Sequence, residues 1–258
     1  LAAVLAAAED DPGPKTRAQL WQLSETRTAP TDQIAVIAVA LETAEDPATY
    51  RLTARLFADR IAALRPAPDI ASFAEQATLA LAAADRADAL KPWADWLSTA
   101  ASRSQEGAET WYRIAPILRI AGGPGVTDLD SQNVDDLIST WDPTTKAPEE
   151  TERLVATLTI LDGLGVPVSP DVWRGMAAQP VTGVHTYPGP AFRMGLAVAA
   201  ERKRVGEGLV LALAGLGDTA LEDLAPSGIA EIASALKALG FVSEARGFAA
   251  EAAAAQGL

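Results

Sequence analysis

Along this chain β-branched residues seldom alternate with polar ones, so the period-two signature of a half-buried strand is scarce. Apolar positions fall instead into stretches of helix length, bounded by proline, glycine and short polar residues. The starts of these stretches are marked. Asp46-Pro47 places a capping carboxylate before a proline at the first helical position, where a missing N–H costs nothing. Ser169-Pro170-Asp171 repeats the arrangement ahead of Trp173, and Thr31, Asp69 and Asp130 are further cap candidates. Gly122-Gly123, Gly163, Gly215 and Gly240 mark ends.

The breaks are nearly periodic. One set lies near Asp46, Asp85, Gly122, Gly163, Arg204 and Gly240, in steps of 39, 37, 41, 41 and 36 residues. A second lies near Ala29, Pro66, Ser104, Thr144, Val184 and Glu222, in steps of 37, 38, 40, 40 and 38. Interleaved, they describe a helix of about 14–18 residues, a turn and a second helix, repeating about every 38–40 residues. The expected fold is all-α: an array of antiparallel helical hairpins forming an α-solenoid-like superhelix, with an irregular multi-helix bundle as the alternative. Residues 1–258 read as a single helical-repeat domain taken from a larger protein, and any subdivision falls near 122–130 or 142–148.

Composition changes this picture in three ways. Hydrophobic residues make up 49% of the 258, but alanine dominates them and aromatics are only 5%. Alanine is the best helix former and lets helices approach closely. Its abundance also gives the impression of a GC-rich bacterial source. The formal charge of −13 argues against nucleic acid and anionic membrane surfaces, and favours a basic partner. The longest apolar candidate, Leu209 to Leu216, falls far short of the roughly 18 residues a membrane span needs. There are no cysteines, which removes disulfides, thiolate metal sites and thiol nucleophiles.

Near the end of the chain, Gly240 closes one helical stretch, Ala245 follows five residues later and Ala252 seven after that. This hairpin resembles a tetratricopeptide repeat, whose glycine and small residues let paired helices touch. The resemblance covers about 20 residues. It departs from the pattern where the aromatic falls at Phe248 and where Gly257 stands in place of the closing proline, and the positions around Asp85 carry Leu90 and Leu97. What the resemblance implies is peptide or protein binding on a concave face.

Candidate chemistry is sparse. Ala178 to Pro190 holds the only histidine, His185, beside Tyr187 among three prolines and two glycines. Long breaks in helical arrays are often functional, which makes this the first place to look for a partner contact. The expected partner-binding residues are His185, Tyr187, Trp173 and Arg193. A lone histidine cannot build a zinc site. Asp128-Leu129-Asp130 opens like a calcium loop, but the sixth and twelfth places hold Asn133 and Ser139 instead of glycine and glutamate. Trp93, Trp96 and Trp111 could form an aromatic platform; core filling is the commoner use, and Trp93, Trp111, Trp141 and Trp173 are expected to be buried. No phosphate loop or nucleophile elbow occurs.

No catalytic, metal or cofactor site is therefore expected. The sequence favours a non-enzymatic protein- or peptide-interaction scaffold of a bacterial protein, with a slight preference for the cell envelope. The rivals are a helical enzyme using paired carboxylates, for example on cell-wall glycans, and a purely structural spacer.

Overall fold

The structure, a computed structural model, describes residues 4–6, 8, 13–44, 46–122, 148–176, 186 and 188–258. These residues are almost wholly helical, and the only β pairing among them is an isolated parallel bridge between Thr186 and Leu224. The all-α expectation holds.

The helices are α1 (Pro14–Thr26), α2 (Pro30–Glu42), α3 (Pro47–Ala63), α4 (Ala74–Ala83), α5 (Lys91–Ala101), α6 (Gln105–Ala121), α7 (Pro148–Gly163), α8 (Pro170–Met176), α9 (Pro190–Glu201), α10 (Val205–Leu216), α11 (Pro226–Ala238) and α12 (Val242–Ala255). Short 3-10 turns at Pro68–Phe73, Ala87–Ala89 and Leu221–Asp223 lead into α4, α5 and α11. Seven of these α-helices open on proline, so a preset φ is a commoner start signal here than a capping side chain. Asp46 does cap α3, accepting from the Thr49 N–H at 2.9 Å, and Ser104 caps α6 through the Gly107 N–H at 3.0 Å. Thr31 and Asp69 are not caps. Proline fixes each start one residue earlier, leaving Ala29 and Ala67 at the cap positions.

Five helix ends share one motif. The N–H of Arg86, Val166, Arg204, Phe241 and Leu258 reaches back to the carbonyl of Leu81, Leu161, Ala199, Leu236 and Ala253, the six-to-one bond of a Schellman turn. The residue before each is left-handed: Asp85, Gly165, Lys203, Gly240 and Gly257. Gly122 is left-handed as well. Gly163 and Gly215, expected to be stops, lie inside the last turns of α7 and α10 instead, and Gly165 and Gly217 adopt the positive φ.

Two compact units divide the chain, Leu1–Leu118 and Arg119–Leu258. In the first, consecutive helices pack in chain order, α1 on α2, α2 on α3, α3 on α4 and α4 on α5. Its core holds Leu20, Ile37, Phe57, Ile61, Leu81 and Trp93, with the Phe73 ring edge-on to Trp93 at 6.1 Å. Trp93 is buried as expected. Trp111 is only half-buried, because its turn of α6 lies near the exposed start of that helix, and Trp141 lies outside the described residues.

The second unit is built on hairpins α9/α10 and α11/α12. The Gln256 amide at the end of α12 donates to the carbonyls of Leu221 and Leu224 just before α11, as an antiparallel pair requires. Chain order and packing order then diverge. The helix against which α7 packs is α11, across the intervening α8, α9 and α10. Gly163 makes this approach: a Cβ there would stand 2.5 Å from the Ala230 carbonyl oxygen and 2.6 Å from its Cα. Lys237 adds a bond from its ammonium to the Leu164 carbonyl at 2.6 Å. Packing only between adjacent repeats, the expectation for a plain superhelix, does not describe this contact.

Candidate functional groove

Helices α9 and α11 also pack together, and three pairings show that they run parallel. Before the helices, the Thr186 N–H donates to the Asp223 carbonyl at 2.7 Å, and the Ala225 N–H to the Thr186 carbonyl at 2.9 Å. Midway, the Arg193 guanidinium grips the Glu231 carboxylate through Nε–Oε2 at 2.8 Å and Nη2–Oε1 at 2.5 Å. At the far end the Lys203 ammonium donates to the Ala238 carbonyl. Parallel neighbours joined by long side chains leave space between them. The result is an open groove of about 530 Å³ lined by Ala197, Ala200, Ala235 and Ala238, with Leu196, Met194 and Pro190 on the α9 side and Glu231 and Ser234 on the α11 side.

Small residues fix α10 to both groove helices. Phe192 of α9 sits against Gly215, and Leu239 after α11 against Gly208; a side chain at either glycine would collide with the facing residue. Leu211 approaches Gly195 less closely, 3.3 Å from where a Cβ would stand. With α10 so placed, the Met194 side of α9 stays open, and Met194 is 67% exposed. The Arg193–Glu231 pair is partly solvated at 43% and 35% exposure, so its worth to stability is that of a surface pair, about 0.2–1 kcal/mol. Its structural effect is to neutralise both charges at the middle of the groove.

Of the residues expected to bind a partner, Arg193 lies in this groove. Trp173 lies on α8, half-buried, and is not a lining residue. His185 and Tyr187, with most of Ala178 to Pro190, lie outside the described residues, as does the Asp128 to Ser139 stretch. Sequence reasoning missed Glu231, Met194 and Ser234. A signal for Glu231 existed: it follows Arg193 by 38 residues, the step of the helix breaks. The same step links Glu75 to Arg113, paired at 2.8 Å, and Ala38 to Gln76, whose amide donates to the Ala38 carbonyl at 3.4 Å.

Among the described residues, no group of three or more His, Cys, Asp or Glu side chains is arranged to hold a metal ion, and no helix is long and apolar enough to cross a membrane. No protein-family model, curated protein or solved structure matches the chain. The class defined by fold and site is an all-α protein carrying an apolar groove between two parallel helices.

Proposed function

We propose that the chain is a non-catalytic interaction scaffold that seats a protein or peptide segment in the α9/α11 groove. The carrying observation is the groove itself, about 530 Å³ lined by alanine side chains with an exposed methionine at its lip. Exposed Met is adaptable apolar surface, suited to a binding face. The reading is supported by the left-handed turn residues Asp85, Gly122, Gly165, Lys203 and Gly240, spaced 37, 43, 38 and 37 residues apart. Such spacing fits stacked hairpins, whose parallel outer helices present grooves of this kind. The groove contains one carboxylate, Glu231, and Arg193 holds it. Paired-carboxylate chemistry therefore finds no second acid there, and is not the reading adopted.

Site-specific photo-crosslinking tests the reading. A photoreactive side chain replaces Met194 in one variant and Leu52, an equally exposed apolar residue of α3, in another. Crosslinks to a partner chain from position 194 and not from 52 are expected. Equal yields from both positions, or none from 194, would refute it.

A further inference from the structure

Apart from Glu207, helix α10 is apolar all round, yet one side of it faces solvent. Gly208 lies against Leu239, Leu211 against Gly195 and Gly215 against Phe192, while Ala212 between them is buried. At about 100° per residue, Gly206, Val210, Leu213 and the closing Gly217 lie on the opposite side, within about 60° of arc. All four are exposed, Val210 at 67% and Leu213 at 70%, and exposed Ala214 adjoins them. A helix at a protein surface ordinarily turns charged residues to water. Here Glu207, the one charge in Val205–Leu216, stands beside the stripe and is held by Arg204 at 3.0 Å.

Two features of the stripe fit a second copy of the chain. The first is spacing. The steps from Gly206 to Val210, Leu213 and Gly217 are 4, 3 and 4 residues, the alternation of a helix–helix seam and the same read in either direction. About a two-fold axis between Val210 and Leu213, an antiparallel copy sets Val210 of each chain against Leu213 of the other, and Gly206 against Gly217. The glycines leave room at both ends, since a Cβ on Gly206 meets nothing within 4 Å. The second feature is charge. The start of α10 carries Arg202, Lys203 and Arg204 against Glu201 and Glu207. Lys237, two residues before Leu239, adds a further cation there, and Arg246 offsets Glu244 on α12. The connection leaving α10 carries Asp218, Glu222 and Asp223 and no Lys or Arg, and the Arg193–Glu231 pair is neutral overall. An antiparallel copy brings a positive end beside a negative end, twice.

We infer that α10 is a homodimer face, on which a second copy of the chain seats its own α10 antiparallel along the stripe of Val210 and Leu213. The twelve residues of α10 set the seam's length at about 18 Å, from 1.5 Å per residue. One helix pair of that length buries less than a standard interface, so the dimer forms at about tens to hundreds of micromolar. The charged ends steer encounter and fix register more than they add affinity. The stripe shares no residue with the lining of the α9/α11 groove, so the two faces are tested independently.

Sedimentation equilibrium of the intact chain from about 5 to about 500 µM should show the mass rising from 26.8 kDa toward twice that value. Leu213→Glu and Val210→Lys, both at positions exposed in the single chain, should each weaken association at least about tenfold while helicity stays put. An equimolar mixture of the two variants should associate at least about fivefold more tightly than either alone, because the antiparallel register sets the new lysine of one chain against the new glutamate of the other. Asp218→Asn separates local from overall charge. It makes a chain of formal charge −13 less negative, so general repulsion alone predicts a tighter dimer. Matching ends predict one about threefold weaker. Should a charged variant unfold, Leu213→Ser takes its place in the dilution series. A mass of 26.8 kDa at every concentration would overturn the dimer. So would a dimer that no substitution at 210 or 213 weakens, since the contact would then lie elsewhere. Dissociated variants that mixing does not rescue would overturn the antiparallel register, and a tighter Asp218→Asn dimer would overturn the matching of ends.

Discussion

Gly163→Ala puts the packing of the second unit to a direct test. The ideal Cβ lies 2.5 Å from the Ala230 oxygen, 2.6 Å from its Cα and 2.6 Å from its Cβ. Unstrained carbon contacts lie near 3.5–4.0 Å, so the overlap is about 1 Å. Two of the three facing atoms are backbone, so no rotamer change relieves the clash, and α7 and α11 must separate. Overpacking of this kind costs about 1–3 kcal/mol. Separation also stretches the Lys237 to Leu164 bond, worth about 1 kcal/mol. Against this, alanine gains at most about 0.5–1 kcal/mol over glycine within a helix. The net expectation is a loss of about 1–3 kcal/mol, at about 2–8 °C in Tm for each kcal/mol across ordinary domain sizes. Gly206→Ala is the matched control, because that glycine is also helical and a Cβ there meets nothing within 4 Å. Thermal melts followed at 222 nm should show Gly163→Ala falling and Gly206→Ala level or slightly raised. If Gly163→Ala melts at or above wild type, a Cβ fits at that position and the close α7–α11 approach is refuted.

Three further outcomes are expected. Trp93→Ala removes the largest fully buried side chain among the described residues and its edge contact with Phe73, and should cost about 3–5 kcal/mol in urea denaturation. Burial pushes the Tyr50 hydroxyl up to about 12, which favours its neutral form in the folded state. Its contribution is fully present below pH 10, where the unfolded tyrosine is still protonated, and is lost as pH rises through about 12. The loss is about 2–3 kcal/mol, and Tyr50→Phe should flatten stability over that window without altering it near pH 7. Arg193→Ala should change Tm little, by no more than the roughly 0.2–1 kcal/mol a partly solvated pair contributes, as thermal melts would show.

The fold class was legible because it rests on local signals. Proline at helix starts, scarce β-branched alternation and alanine abundance act within a few residues of where they are written. The turn at Asp85 was found from its break, although a non-glycine residue takes the left-handed position there. Which of two nearby glycines would turn the chain was not legible. Gly163 and Gly165 look alike in sequence, and what separates them is Ala230, 67 residues from Gly163, pressing on the first and not the second. The burial of Trp93 but not of Trp111 or Trp173 has the same origin, since an aromatic is buried by partners that local pattern does not name. For the candidate site, Arg193 was reached and Glu231 was not, because only the tertiary pairing of parallel helices sets a cation beside an acid 38 residues away.

The groove and the tight seams come from one compositional choice. Where glycine or alanine faces its neighbour, as at Gly163/Ala230 or Gly208/Leu239, helices close until backbone or a single side chain fills the gap. Where α9 faces α11, the bridging groups are instead an arginine, a glutamate and a lysine, whose length holds the seam open while alanines floor it. Filling that seam with leucine would bury more apolar surface at about 25 cal/mol per Å² and stabilise the unit. The sequence forgoes that gain at Ala197, Ala200, Ala235 and Ala238, while using leucine and isoleucine freely at Leu158, Ile160, Ile229 and Ile232 nearby. Small residues stand on both walls of this seam, beside a well-filled core in the same unit, and the interaction role proposed above rests on the open surface they leave.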